Sequence, residues 1–301
     1  MKLKYTWIPF LLSIIMVIPF RIYQLSLSSG KIFSFNVNDN TIIGVFIYTV
    51  MFFSIIIICM SLFSKELQFN IKIEKNVLVS ISLFLVGASA IAESLESFKE
   101  AFSGAQGNNM FGLLVLCILS VIASVAFFVL ATSYFTGRDL FDKFPIMLIM
   151  PVVWLLYRLM ISFIDARTVA NNSVEMMGII TNAFLTLFVL YNAKMYIIDK
   201  NGAVVKKLFA FGLPSVAFAL CYGIPNIYKV LFLDRGDTGI VLSSVTYIVM
   251  SIYIILLLLD VTKKCENKNP EHAAYKYQDF GKNDHVVGSP RAEESMLRKE
   301  N

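Results

Sequence analysis

Charge is scarce in this chain, and histidine scarcer still. Only 16% of its residues are charged while 57% are hydrophobic, whereas soluble domains carry about 25% charged residues. A water-soluble fold of 301 residues has no core large enough to hide that much apolar surface. Its mean hydropathy of +0.71 agrees. The histidines, His272 and His285, both stand in the polar C-terminal segment. That excludes membrane enzymes that need an intramembrane histidine as base or metal ligand. Cysteine is equally uninformative as chemistry, since Cys59, Cys117 and Cys221 sit in separate apolar segments and Cys265 just past the last one. No CxxC pair or metal-ligand spacing results, and single buried cysteines behave as small hydrophobes. No metal and no cofactor is expected.

Also missing are a nucleotide loop, a repeat and any appended catalytic module. Ala92 to Glu100 has acidic residues without the downstream arginine and histidines of an intramembrane prenyl protease, and Asp234 to Asp237 reads as a loop. The net charge of +5 is spread between apolar blocks rather than along one stripe. It reads as topogenic charge, and nucleic acid is not an expected partner.

What the chain does have is long apolar runs. Thr41 to Phe63, Phe111 to Tyr134, Pro145 to Phe163 and Val241 to Leu259 are each long enough to cross about 30 Å of hydrocarbon as a helix. The expected architecture is an all-α, polytopic integral membrane bundle of about eight transmembrane helices. The spans are drawn at about 5 to 26, 41 to 63, 76 to 95, 111 to 135, 145 to 164, 175 to 197, 206 to 228 and 239 to 260. Lys2 and Lys4 before an apolar run resemble a secretory signal, but Arg21 to Gln24 follow with no small-residue cleavage site. The first run is therefore read as an uncleaved helix. The transmembrane domain is placed at 1–262, and the polar residues 263–301 are expected to form a disordered cytoplasmic tail, because they bury too little apolar area to offset ordering entropy.

Lysine and arginine set the orientation. Lys65, Lys72, Lys75, Arg138, Lys143, Lys200, Lys206, Lys207, Lys263 and Lys264 fall on one side, against Arg21, Lys31, Lys99, Arg167, Lys229 and Arg235 on the other. Both termini are expected inside. The location expected is a cell membrane, in a bacterium the cytoplasmic one, with the lipid bilayer as the first partner. Trp7, Tyr23, Tyr134, Tyr196 and Tyr228 fall near span ends and invite an aromatic-belt reading. Span three, with Gly87, Ala88, Ser89, Ala90 and Ala92, is expected in the bundle centre, since small residues let backbones approach closely. Span seven reads as broken twice, at Gly212 to Pro214 and at Gly223 to Pro225, because proline removes a backbone donor.

Candidate chemistry centres on span five. Trp154, Arg158, Ser162 and Asp165 are spaced four, four and three apart and share one helical face. A central arginine costs about 2.5 to 3.5 kcal/mol to insert, so it calls for an interfacial exit, a partner or a wet cavity. Helical side chains lean toward the N-terminus, which points Arg158 away from the nearer surface. At comparable depth stand Asn182, Tyr222, Ser243 and Ser244, with Thr246, and Glu93 and Glu96 near the end of span three. Those two carboxylates need solvent, a cation such as Arg158, or continuation of their helix to Lys99. Spans three, five, six, seven and eight are thus expected to enclose an outward-facing polar cavity suited to a small-solute transporter, with Arg158 facing a small anionic solute. The alternative is a membrane sensor or interaction subunit that binds a ligand without moving it. A transporter also needs polar groups on the inner side, where Asn192 and Lys194 offer a thin counterpart. A lipid-modifying enzyme is the least supported class, and no protein partner is indicated.

Overall fold

The computed structural model of the protein describes residues 3–29, 39–64, 73–102, 110–138, 140, 145–168, 173–197, 202–233 and 238–266. Among these there are no strands. The helices are α1 (Trp7–Ser29, entered through a 3-10 turn at Leu3–Thr6), α2 (Asp39–Leu62), α3 (Val77–Phe102), α4 (Met110–Thr136), α5 (Met150–Thr168, preceded by a 3-10 turn at Pro145–Leu148), α6 (Ser173–Ile197), α7 (Gly202–Leu233) and α8 (Thr238–Glu266). All eight regions are long and apolar enough to cross a membrane. Large apolar side chains such as Ile15, Phe20, Tyr48, Phe52 and Phe111 stand exposed, as they do where the surrounding solvent is lipid.

The chain divides after Leu259 into two compact units. In the second, residues 260–266 complete α8 and hold an ion pair between Lys264 Nζ and Asp260 at 2.8 Å. The rest of the expected tail lies outside the described residues.

Within the first unit the centre belongs to α7, not to span three. Some 78% of the apolar window of α7 is buried, against 50% for α3. Phe209, Leu213, Val216 and Phe218 of α7 are wholly enclosed, and α1, α2 and α6 pack around it. Nor is α7 broken. It runs as one helix through Pro214 and Pro225. Each proline costs a backbone hydrogen bond, but dense packing on all sides holds the remaining turns in register.

The small residues of α3 serve a tight pair with α4. A Cβ at Gly87 would meet the Phe128 ring at 2.7 Å, so the absence of a side chain is what admits that ring. Two serine hydroxyls cross the seam, Ser80 Oγ donating to the Ala131 carbonyl at 2.8 Å and Ser120 Oγ to the Ala90 carbonyl at 2.6 Å. Hydrogen bonds and close packing replace the hydrophobic effect as the glue between helices in lipid. Where α4 ends, Gly137 adopts φ +70° and its N–H closes on the Ser133 carbonyl at 2.9 Å, a left-handed cap that glycine takes without strain. The Asn76 N–H donates to the Tyr134 carbonyl at 3.0 Å, and the Asn76 side chain accepts from Val79 N at 3.3 Å, capping α3. One residue thus satisfies the end of α4 and the start of α3.

Tyr134 does not join an aromatic belt. It is buried, and its hydroxyl bonds that of Tyr196.

Candidate functional site

The C-terminal halves of α3, α5 and α7 and the N-terminal halves of α4, α6 and α8 meet at one end of the bundle. There they line a cavity of about 400 Å³, within the range of small-molecule sites. α3 reaches this end because it does not stop near residue 95; it continues to Phe102. Glu93, Ser97 and Glu100 therefore lie on successive turns of one face, and Glu96 beside them. Lys99 Nζ approaches Glu96 at 3.7 Å. The helix-end problem expected for Glu93 and Glu96 is removed by that continuation.

Arg158 sits in the wall of this cavity, its side chain only 10% exposed, with Nη1 donating to Glu93 Oε2 at 2.9 Å. The guanidinium also lies 4.8 Å from the centre of the Tyr247 ring and 5.9 Å from that of Trp154. Two aromatic faces and one carboxylate thus compensate a charge that the apolar surroundings would otherwise penalise. Tyr247 then extends the network, its hydroxyl donating to Asn182 Oδ1 at 2.8 Å while Asn182 Nδ2 donates to Ser162 Oγ at 3.4 Å. The chain of contacts joins α3, α5, α8 and α6. A bundle carrying such a network has each of these helices fixed in rotation by at least one polar contact.

Of the expected residues, Glu93, Glu96, Arg158, Ser162, Asn182, Tyr222 and Ser243 line this one cavity. Trp154 does not. It is buried behind Arg158, edge-on to Phe127 at 6.4 Å. Nor does Ser244, which is fully buried and whose Oγ donates back to the Ile240 carbonyl at 2.7 Å. Asp165 belongs to α5, but its side chain lies outside the described residues. Arg158, expected to face a small anionic solute, is paired with Glu93 in the cavity wall.

Sequence reasoning missed three polar groups of the lining: Tyr247, Ser97 and Glu100. The signal for each was present as helical spacing. Tyr247 follows Ser243 by four, and Ser97 and Glu100 follow Glu93 by four and seven. It missed the apolar wall as well, where α4 contributes Leu113 and Leu116.

Six further residues define the opposite half. Asn192 Nδ2 donates to Tyr253 Oη at 2.8 Å, both side chains buried. Tyr134 and Tyr196 bond to one another, and Lys207 lies 5.6 Å from the Tyr191 ring centre. Between the two polar regions, Leu185, Phe188 and Met250 are almost wholly enclosed.

No family model, curated protein or solved structure matches this chain.

Proposed function

We propose that this protein is a small-solute transporter of the permease kind, crossing the membrane eight times with both termini in the cytoplasm and its cavity open to the outside. The observation that carries this reading is the cavity itself: about 400 Å³, walled by a buried ion pair and lined by polar groups from five helices. Charged and hydrogen-bonding side chains inside a membrane bundle are costly to place and mark solute paths when they face a common space. The orientation rests on the lysine-rich loops. With the N-terminus inside, the C-terminal ends of α3, α5 and α7 reach the outer face, and the cavity lies at those ends.

The opposite polar region supports movement across the bundle rather than binding alone. Asn192, Tyr253, Tyr134 and Tyr196 supply on the inner side the hydrogen-bonding groups that alternating access requires. Leu185, Phe188 and Met250 stand between them and the cavity as an apolar barrier.

The test is exchange in vesicles reconstituted with the purified protein. A panel of labelled amines, amino acids, sugars and carboxylates is loaded on one side and followed across. Exchange of a panel member, abolished when Ser243→Cys is modified by an impermeant thiol reagent, is the expected result. Binding of a panel member with no exchange would overturn transport and leave a ligand sensor.

A further inference from the structure

We infer that the cavity takes a small organic ammonium ion, an inference that rests on the solute-binding reading above and narrows it. Three carboxylates line the cavity, from Glu93, Glu96 and Glu100, together with the guanidinium of Arg158, while Lys99 Nζ stands 3.7 Å from Glu96. That guanidinium faces Glu93 at 2.9 Å and the Tyr247 ring at 4.8 Å. It is held as part of the wall, its charge answered by Glu93, and among the described residues carboxylates outnumber cationic groups around the cavity. Glu93 keeps a second oxygen in reserve. Its Oε1 is buried in the wall and accepts no hydrogen bond, although Thr246 of α8 interacts with the same carboxylate. The Thr246 hydroxyl donates instead to the Leu242 carbonyl at 3.2 Å. A buried carboxylate with one oxygen short of a donor keeps its negative charge poorly compensated, which favours a cation over an anion in the cavity beside it.

The spacing of the acids argues against an inorganic cation as the ligand. Glu93 and Glu100 are seven residues apart on one helix, a rise of about 10 Å. No group of three metal-binding side chains forms among the described residues. Two aromatic rings also line the cavity: Tyr222 and Tyr247 meet edge to face, ring centres 5.3 Å apart at 87°. The Tyr247 ring is taken by the Arg158 guanidinium, and the Tyr222 ring set against it gives the cavity a second aromatic surface on which a cation can rest. Carboxylates and an aromatic ring around about 400 Å³ suit a ligand with a positive head and a few carbons.

The experiment uses the full-length protein in detergent, with choline and ethylammonium as cationic probes, acetate and benzoate as anionic ones, and sodium chloride to match ionic strength. Thermal unfolding and calorimetric titration should show saturable stabilisation by at least one cation and none by the anions. Glu96→Gln combined with Glu100→Gln should weaken cation binding about tenfold or more. Tyr222→Leu should weaken it about 2- to 30-fold, and more than Tyr222→Phe. Melting of the unliganded variants close to the parent shows that they are folded. Stabilisation by anions alone, by no probe, or equal cation binding in the glutamine variants would overturn the ammonium assignment. Uptake and binding fail separately: vesicles that exchange a carboxylate would keep transport and lose the ammonium, while choline that binds without exchange would keep the ammonium and lose transport.

Discussion

Removing either half of the Glu93–Arg158 pair should destabilise the bundle far more than removing both. The two side chains are only 10% and 12% exposed and meet at 2.9 Å, so solvent does little to screen or rescue a partner left alone. Breaking a buried pair at one end costs about 3 to 5 kcal/mol, whereas replacing both ends by apolar groups of similar size is often neutral. Arg158→Leu strips Glu93 of the donor on Oε2 when Oε1 already accepts none. Glu93→Leu should be the harsher change, because a carboxylate can take up a proton but a guanidinium cannot lose one. The ring contacts to Tyr247 and Trp154 offset that by about 0.5 to 2 kcal/mol. The double variant loses both charges and should fall within about 2 kcal/mol of the parent, its net cost being mostly those ring contacts. The assay is equilibrium unfolding of the parent, both single variants and the double variant in bicelles, assembled as a cycle. A coupling above about 2 kcal/mol is expected. Single variants within about 1 kcal/mol of the parent, the range of exposed pairs, would refute the claim that this pair is desolvated.

Gly223→Ala should destabilise by about 1 to 3 kcal/mol, because its Cβ would meet the Ser244 carbonyl oxygen and Ile248 Cγ1, both at 3.0 Å, and backbone cannot move aside as a side-chain tip can. Gly44→Ala, with nothing within 4 Å, should be neutral or gain up to about 1 kcal/mol of helix propensity; the same unfolding measurement compares the two, and equal effects would count against the tight α7–α8 contact. For orientation, cysteines at Asn108 and Thr238 in a background without native cysteines should react with an impermeant thiol reagent added to intact cells, and one at Asn201 should not. Labelling at Asn201 would reverse the assigned topology.

The residues that read correctly in isolation were those whose environment depends on one helix alone. Apolar runs such as Phe111 to Tyr134 mark a helix long and apolar enough to span a membrane, because hydrocarbon demands about 20 apolar residues with every backbone group bonded within the segment. The face shared by Arg158 and Ser162 follows from the helical repeat, and the cost of an inserted arginine requires some partner for it. Which partner it takes is a different kind of fact. Glu93 is 65 residues away in sequence, and nothing local distinguishes its pairing with Arg158 from simple hydration at a helix end. The continuation of α3 to Phe102 carried Glu93 from a terminus into a wall. Packing likewise decided the position of Trp154 behind Arg158, the inward turn of Ser244, and the recruitment of Tyr247 as the ring beneath the guanidinium. The prolines of α7 show the same division. Proline by itself says that a hydrogen bond is lost; the surrounding helices decide whether the helix breaks there. The chain alone therefore determined a charge-poor set of membrane-length helices with an arginine in need of compensation. Tertiary structure alone decided that a carboxylate and two rings compensate it, since contacts between helices depend on their relative rotation and depth, which no single helix encodes.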